Sequence, residues 1–298
     1  MLMRELLAAR GFARVIALST DKAGLKTPEK TLLLALWAYE PEYLPPREQP
    51  CIHPYYPASQ KAYDAAKAVC RAAGEQGLHV RLAEDVRVKP IFAHLRGFAQ
   101  GRNTISSVEG LGSRFHVQIL LMQEETAVDD ALWEEQAHAL SCGSCRACMN
   151  ACPSHAIDEE GYHREKCLRN YMLSGKPCPE ELCSLMGNRL LGCDECQACC
   201  PRGERQLQAP SAGEVSLRAL LENPKDTARL LAPYIGFNMA LPNRLLAQAC
   251  LCAGNAGDAS LVPLLAQLRM HPSETVRLHA AWAAERLSAH GSENDTAP

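Results

Sequence analysis

The sequence predicts an α+β protein, and three observations support that prediction. Residues 1 to about 135 alternate patterns typical of strands and helices, as an α/β or α+β region does. A cysteine-rich stretch follows, and from Ser216 onward the patterns are almost entirely helical. We therefore expect three domains, at residues 1–135, 136–212 and 213–298.

In the first domain, short apolar runs separate the expected elements. The run TLLLALWA at 31–38 is continuous and short, which is typical of a buried strand. Ser59 is placed to cap the following helix, and Pro90 is expected near the start of another. Turns are expected at 101–104 and 110–113. The predicted elements are helices over 1–10, 58–74, 86–98 and 129–140 and strands over 12–18, 31–38, 78–82 and 116–122.

The cysteine-rich stretch opens with the spacing C-x2-C-x2-C-x3-C-P, formed by Cys142, Cys145, Cys148 and Cys152 before Pro153. Bacterial-type ferredoxins hold [4Fe–4S] clusters with this run, and in two-cluster ferredoxins its fourth cysteine ligates the other cluster. A second run, C-x2-C-x3-C-P, comprises Cys193, Cys196 and Cys200. The spacing therefore predicts two clusters.

The second run lacks its first cysteine, for which Cys167, Cys178 and Cys183 are the nearest alternatives. We choose Cys167, because its distance from Cys152 is ferredoxin-like and residues 168–192 can be an insertion. The prediction is two quartets. The first quartet is Cys142, Cys145, Cys148 and Cys200, and the second quartet is Cys152, Cys167, Cys193 and Cys196.

Other uses of these cysteines fit the spacing less well. Structural zinc normally takes two C-x2-C pairs without this longer run. A disulfide framework is not expected in a chain that shows no export signal. Cys199 could replace its neighbour as a ligand, but the three-residue spacing and Pro201 favour Cys200.

Composition limits the classes of function. The chain has 47% hydrophobic and 22% charged residues, as ordinary globular proteins do. No apolar run is long enough to cross a membrane. Fifteen cysteines without an export signal indicate a reducing, cytoplasmic location. A net charge of −3 argues against general coating of nucleic acid, but it leaves a local basic face open.

The sequence pattern of residues 243–287 is typical of paired helices joined by short turns. Leu- and Ala-rich helices of this kind are typical of HEAT-type repeats. Only about one and a half repeats fit, so we expect a docked cap. Cys250 and Cys252 are interpreted as core cysteines on an apolar helix.

Several sequence motifs resemble those of the epoxyqueuosine reductase family, the cobalamin-dependent iron–sulfur enzymes of queuosine-tRNA maturation. They are C-G-S-C-R-A-C-x3-C-P-S-H-A-I at 142–157, K-C-L at 166–168, G-N-R-L-L-G-C-D-E-C-Q-A-C-C-P at 187–201 and V-R-L-H-A-A-W-A at 276–283. In the first domain, G-R-N-T at 101–104 and G-S-R-F at 112–115 correspond to the family's Gly-Lys-Asn-Thr and Gly-Ser-Trp-Phe segments. The resemblance also supports Cys167 as a ligand.

The resemblance implies a reductase that removes the epoxide oxygen of a tRNA-bound queuosine precursor as water. It implies cobalamin in the first domain, fed by two [4Fe–4S] clusters, an external low-potential electron donor, and tRNA as partner. The cofactor contacts that it implies are Gly101, Arg102, Asn103, Gly112 and Ser113. Arg102 and Arg114 stand where the family has Lys and Trp.

The family's acid, an aspartate, corresponds best to Asp85, with Glu84 beside it. An aspartate before a helix is also a common cap, so capping is the alternative interpretation of Asp85. Asn103 and Ser113 are alternatively turn formers, and His116 is interpreted as a packed histidine rather than a cobalt ligand. Arg269, Arg277 and Arg286 form either a solvated face or contacts to anticodon-stem phosphates.

Two other functions fit the same sequence. One is an electron-transfer protein that holds iron and sulfide without a corrinoid. The other is a diverged reductase that keeps cobalamin but acts on a small molecule. Corrinoid in the purified protein and binding of tRNA would distinguish the reductase that the resemblance implies from both.

Overall fold

The computed structural model describes residues 2–39, 49–138, 142–203 and 215–294. The chain forms two compact units. The first comprises residues 1–41, 57–148 and 197–206, and the second comprises residues 42–56, 149–196 and 207–298. Each unit thus takes part of the cysteine-rich stretch.

Helices and strands alternate before the cysteines, and helices dominate after them. The strands are β1 (Arg14–Ser19), β2 (Thr31–Ala38), β3 (Cys51–Ile52), β4 (Val80–Leu82), β5 (Phe98–Gln100), β6 (Ser106–Val108), β7 (Phe115–Met122) and β8 (Arg189–Leu191). The helices are α1 (Leu2–Ala9), α2 (Tyr55–Glu75), α3 (Val88–Phe92), α4 (Ala147–Ala151), α5 (Leu168–Ser174), α6 (Glu180–Cys183), α7 (Glu195–Ala198), α8 (Leu217–Glu222), α9 (Pro224–Ile235), α10 (Pro242–Ala256), α11 (Val262–Leu268) and α12 (Glu274–Asn294).

The first unit is built on a four-stranded sheet in the order β1-β2-β7-β4. Each neighbouring pair is antiparallel, so the first region is α+β rather than α/β. Strand β2 is buried on both faces. Leu33 and Ala35 pack with α1 and α2, whereas Leu34 and Leu36 pack with Ile91 and its neighbours on the other face. Burial on both faces explains the continuous apolar run.

Most of the predicted elements are confirmed, and three need correction. Helix α2 begins at Tyr55, before Ser59, and His53 Nδ1 accepts a hydrogen bond from the Tyr55 N–H at 3.2 Å. The helix predicted over 86–98 is only α3, because Gly97 turns the chain with a φ of +83° and β5 follows at once.

The helix predicted over 129–140 is wrong as far as residue 138; residues 139–140 lie outside the described residues. Only Asp130–Leu132 form a single 3-10 turn. The Asp129 carboxylate accepts hydrogen bonds from Arg4 and from the Ala17 N–H, and the Asp130 carboxylate accepts two from Ser19. These bonds hold the segment along β1 in place of a helix.

The second unit packs its helices around α10. Leu245, Leu246 and Ala249 are fully buried there, together with residues of α8, α11 and α12. Gly254 allows α12 to approach closely, since a Cβ on it would lie 2.7 Å from the Trp282 ring. The only sheet of this unit pairs β3 with β8 in parallel, within the residues described. No helix in the described ranges is both long and apolar enough to span a bilayer.

Candidate cofactor site

One cavity of the first unit brings together polar turns and thiols from distant parts of the sequence. Its walls combine the two turns that the resemblance singled out with the first quartet. The lining residues are Gly101, Arg102, Asn103, Ile105, Ser107, Ser113, Cys142, Cys145, Ala147, Cys148, Cys200, Pro201 and Arg202. Of the implied cofactor contacts, Gly112 alone lies outside this lining, next to Ser113.

The turn at 101–104 is held by its own hydrogen bonds. Asn103 is 6% exposed, and its Oδ1 accepts from the Ile105 N–H at 3.1 Å. The Thr104 N–H donates to Gly101 O at 2.9 Å, and Thr104 has a φ of +60°. A Cβ on Gly101 would lie 2.6 Å from Asn103 Oδ1, so a larger residue there would displace the Asn103 side chain.

The turn at 110–113 closes on β6, because the Val108 N–H donates to Gly112 O at 2.8 Å. Gly112 has a φ of +72°, which favours glycine. Ser113, 6% exposed, accepts at its carbonyl from Gln197 Nε2 at 2.8 Å. Gln197 is itself buried, and its Oε1 accepts from the Tyr39 hydroxyl at 3.4 Å.

Sequence reasoning missed Gln197. It sits between two predicted ligands, in a polar loop where its hydrogen-bond partners cannot be read from the sequence. A buried glutamine must satisfy its amide, and here it connects the Cys200 loop to the Ser113 turn. Gln197 therefore positions one wall of the cavity.

The first quartet lines this cavity. The Cys145 N–H donates to Cys142 O at 2.9 Å, which makes a tight turn, and α4 then carries Cys148. The Arg102 N–H donates to Cys142 Sγ at 3.2 Å. Burial raises the pKa of the Cys148 thiol, and the neighbouring Cys142, Cys200 and Cys145 raise it further. A backbone N–H directed at sulfur stabilises its thiolate, the form that binds iron.

Cys199 lies beside this quartet without lining the cavity. Burial raises the pKa of its thiol, and the charges of Cys148 and Cys200 add to that effect. The cavity lining thus includes Cys200, and not Cys199, with the other three cysteines of the first quartet.

The second quartet lies entirely in the second unit. Cys152 Sγ accepts from the Ala156 N–H at 3.2 Å. Cys167 precedes α5 and is half-buried. Cys193 follows β8, and Cys196 lies on α7.

The two cysteines that competed with Cys167 are core residues. Cys178 and Cys183 are 8% and 2% exposed and pack with Leu168, Met172 and Met186. The Cys183 thiol is within hydrogen-bond distance of Pro179 O, at 3.4 Å. Among the described residues, no three His, Cys, Asp or Glu side chains lie close enough together to hold a single metal ion.

Asp85 lies outside the cavity. Its side chain is 74% exposed, and its Oδ1 lies 3.7 Å from Arg81 Nη1. Glu84 is exposed as well. Asp85 does not cap α3 either, since the N-cap position is Arg87, without a side-chain bond. The capping interpretation is therefore wrong.

The remaining singled-out residues make structural contacts. His116 lies on β7 within hydrogen-bond distance of Gln118, and burial lowers its pKa to about 4. Cys250 and Cys252 are buried in α10. The three arginines have partners: Arg269 Nη2 lies 3.8 Å from Glu285 Oε1, Arg277 Nη1 donates to His271 O, and Arg286 Nε donates to Gly254 O.

Comparison with known proteins agrees with this geometry. Residues 141–203 match the family model of a 4Fe-4S double cluster binding domain. The chain is 30% identical over 200 residues to the epoxyqueuosine reductase of Pseudomonas aeruginosa, covering 62% of this chain and 53% of that protein. It is 33% identical over 205 residues to that of Alicycliphilus denitrificans, covering 62% and 54%. The chain thus spans about half the length of these curated relatives.

Solved structures share the fold. A Bacillus subtilis epoxyqueuosine reductase, described with its catalytic aspartate loop swung out of the active site, matches with a TM-score of 0.71 and 18% identity, covering 98% of this chain and 91% of that one. An epoxyqueuosine reductase bound to an epoxyqueuosine-modified tRNA-Tyr stem loop matches with a TM-score of 0.72 and 17% identity, with the same coverage. The predicted resemblance is confirmed: this chain carries a double [4Fe–4S] cluster-binding domain and is similar to epoxyqueuosine reductases in sequence and in fold.

Proposed function

We propose that this protein is an epoxyqueuosine reductase-like oxidoreductase that reduces the epoxide of a tRNA-bound queuosine precursor. Cobalamin would occupy the cavity of the first unit, and two [4Fe–4S] clusters would supply electrons from an external low-potential donor. Relatives of this name, one of them solved with an epoxyqueuosine-modified tRNA stem loop, support the proposal.

The shared cavity is the single observation that carries the proposal. The turns around Asn103 and Ser113 were selected only by resemblance, whereas the first quartet was selected by its spacing. The structure brings both groups to one cavity. A cofactor bound to those turns would adjoin the cluster that feeds it.

The residues around the cavity fit the groups that we assign to them. We propose the first quartet as the ligands of one cluster and the second quartet as the ligands of the other. Backbone N–H groups that donate to Cys142 and Cys152 stabilise the thiolates that iron requires. The core positions of Cys178 and Cys183 support Cys167 in the second quartet.

For cobalamin, the proposed contacts are Gly101, Arg102, Asn103, Gly112 and Ser113. When bound, cobalamin supplies a strongly reducing cobalt that is charged one electron at a time. The residues of this chain determine the shape and polarity of the cobalamin site. Gly101 permits the close approach of Asn103 Oδ1, and the buried Asn103 and Ser113 offer polar atoms held in fixed turns.

We propose Asp85 as the proton donor to the departing epoxide oxygen. This role requires the segment 84–87 to carry Asp85 to the cavity, because in this structure the carboxylate is exposed and pairs with Arg81. The solved structure of the Bacillus subtilis relative, with its catalytic aspartate loop swung out of the active site, is the precedent for such a displaced loop.

A second candidate function is a corrinoid reductase that acts on another, smaller molecule. The position of Asp85 outside the cavity favours it, because in this structure the carboxylate is not placed to protonate an epoxide oxygen bound there.

We further propose the three-domain layout of residues 1–135, 136–212 and 213–298, with a HEAT-like tail that contributes to tRNA binding, and a cytoplasmic location. The packing of α10, α11 and α12 around one core supports the tail. Because Arg269, Arg277 and Arg286 already have partners within the tail, phosphate binding there would have to compete with those contacts.

The test is turnover of epoxyqueuosine-containing tRNA by anaerobically reconstituted protein with cobalamin and a chemical reductant. Asp85→Asn should keep clusters and bound corrinoid and lose turnover, because the amide fills the same space and cannot donate a proton as an acid. Glu84→Gln is the matched control and should retain activity. An active Asp85→Asn protein would remove Asp85 from the mechanism. Corrinoid binding without turnover of this tRNA would favour the second candidate, and clusters without corrinoid would indicate a pure electron carrier.

A further inference from the structure

A buried arginine stands beside the second quartet. The Arg189 side chain on β8 is only 16% exposed. Its Nη1 donates to Leu185 O and Met186 O, both at 3.3 Å, and its Nη2 pairs with Glu195. Burying a guanidinium is costly unless it is paired and hydrogen-bonded. This one has a fixed position and orientation.

Arg189 and Glu195 lie on either side of the predicted ligand Cys193 in the sequence. Arg189 precedes Cys193 by four residues, and Glu195 lies between Cys193 and Cys196. Glu195 is two residues from Cys193 and adjacent to Cys196, so its ion pair with Arg189 holds both charges close to these predicted ligands.

This arrangement has a consequence for electron transfer. A [4Fe–4S] cluster with four thiolate ligands is anionic and gains one more negative charge when the donor gives it an electron. No bond forms or breaks in that step. A fixed cation stabilises the more negative state more than the less negative one, and a fixed anion does the opposite. Partial burial strengthens both effects, because solvent screens the charges less than it does at the surface.

Building on the proposed cluster ligands, we propose that the Arg189–Glu195 pair sets the reduction potential of the cluster in the second quartet. Arg189 raises the potential and Glu195 lowers it. At the first quartet, the Arg102 N–H donates to Cys142 Sγ at 3.2 Å, and the Arg102 side chain donates at an exposed position to Gly143 O. The nearby hydrogen bonds and charges are among the means by which proteins tune these clusters.

The test is a potentiometric titration of the reconstituted full chain, followed by electron paramagnetic resonance. A Cys145→Ala background isolates the second cluster, because Cys145 is an exposed ligand of the first quartet. Arg189→Met should lower the midpoint potential and Glu195→Gln should raise it. We expect each to change the one-electron reduction equilibrium about tenfold, equivalent to 59 mV. Arg218→Met, which breaks an exposed pair with Glu222, is the control and should leave the potential unchanged.

The outcomes separate this inference from the proposed function. Opposite shifts in the two variants support it, because a merely structural role would not reverse sign with the charge removed. Unchanged potentials, or shifts of the same sign, overturn it while leaving the clusters in place. If Arg189→Met fails to load iron, Glu195→Gln alone decides: a rise supports the inference and no rise overturns it. A wild-type chain that forms no second cluster refutes both the cluster assignment and this inference.

Discussion

The two quartets have similar spacing but different surroundings. The first quartet borders a cavity, and Cys145 there is exposed. Near the second, Arg189 pairs with Glu195, which lies between Cys193 and Cys196 in the sequence. Spacing alone thus predicts which thiols bind iron, whereas the surroundings determine which groups each cluster can contact. The first quartet borders a cavity that could hold a cofactor, and the second quartet lies near fixed charges.

The largest expected effect is on iron content. Wild-type protein should hold about eight irons, as two cubes require. Cys148→Ala should remove the first cluster and Cys167→Ala the second, each leaving about four irons. Iron and sulfide analysis after anaerobic reconstitution measures this.

Substitutions at three other cysteines are controls for the same experiment. Cys199→Ala, Cys178→Ala and Cys183→Ala should each retain about eight irons, because none is assigned to a cluster. Retention of both clusters in Cys167→Ala, with loss of one in Cys178→Ala or Cys183→Ala, would refute the assignment of the second quartet.

A smaller effect is expected at the cavity turn. Gly101→Ala places a Cβ 2.6 Å from Asn103 Oδ1, so the Asn103 side chain must shift and its hydrogen bond from the Ile105 N–H is disturbed. We expect a loss of about 1–3 kcal/mol in the free energy of unfolding, as in other overpacked sites. Gly74→Ala is the matched control. No atom lies within 4 Å of that Cβ on α2, so it should gain roughly 0.5–1 kcal/mol. Denaturant unfolding of both variants measures the contrast, and equal stabilities would contradict it.

We expect the stability of the second unit to depend on pH through His279. This buried histidine accepts from the Cys178 N–H at 2.9 Å through Nε2, which leaves Nδ1–H to donate to Ala247 O. Burial lowers its pKa below the ordinary 6.5, and the bond to Ala247 opposes this only in part. Because the unfolded chain then takes up a proton more readily, stability is present above pH 6.5 and falls as the pH drops below it.

His279→Gln tests this linkage. It should cost about 1 kcal/mol at pH 7.5, the worth of a typical hydrogen bond. Its deficit relative to wild type should shrink at pH 5.5, since glutamine does not titrate. His271→Gln is the control, because that histidine is half-buried and is not enclosed in the core. A deficit that stays constant between the two pH values would contradict the role of His279.

The sequence predicted the elements that depend on local pattern and missed those that depend on distant partners. The run at 31–38 indicated a buried strand because β2 is apolar on both faces. The helix expected over 129–140 failed because Asp129 and Asp130 bond to β1, more than a hundred residues away. Gln197 went unnoticed for the same reason, because its partner Ser113 lies far away in the sequence. The partners of Arg189 are close in the sequence, but the burial of its side chain becomes visible only in the fold.

Cobalamin binding tests the central claim most directly, namely that the cavity beside the first quartet is the cofactor site. The measurement is corrinoid per chain, read from the visible spectrum after anaerobic reconstitution and gel filtration. Wild-type protein should retain cobalamin, whereas Ser113→Phe, which fills the cavity, should lose it and keep about eight irons. A wild-type chain that holds both clusters yet binds no cobalamin, or a Ser113→Phe variant that binds it as well as wild type, would contradict the account.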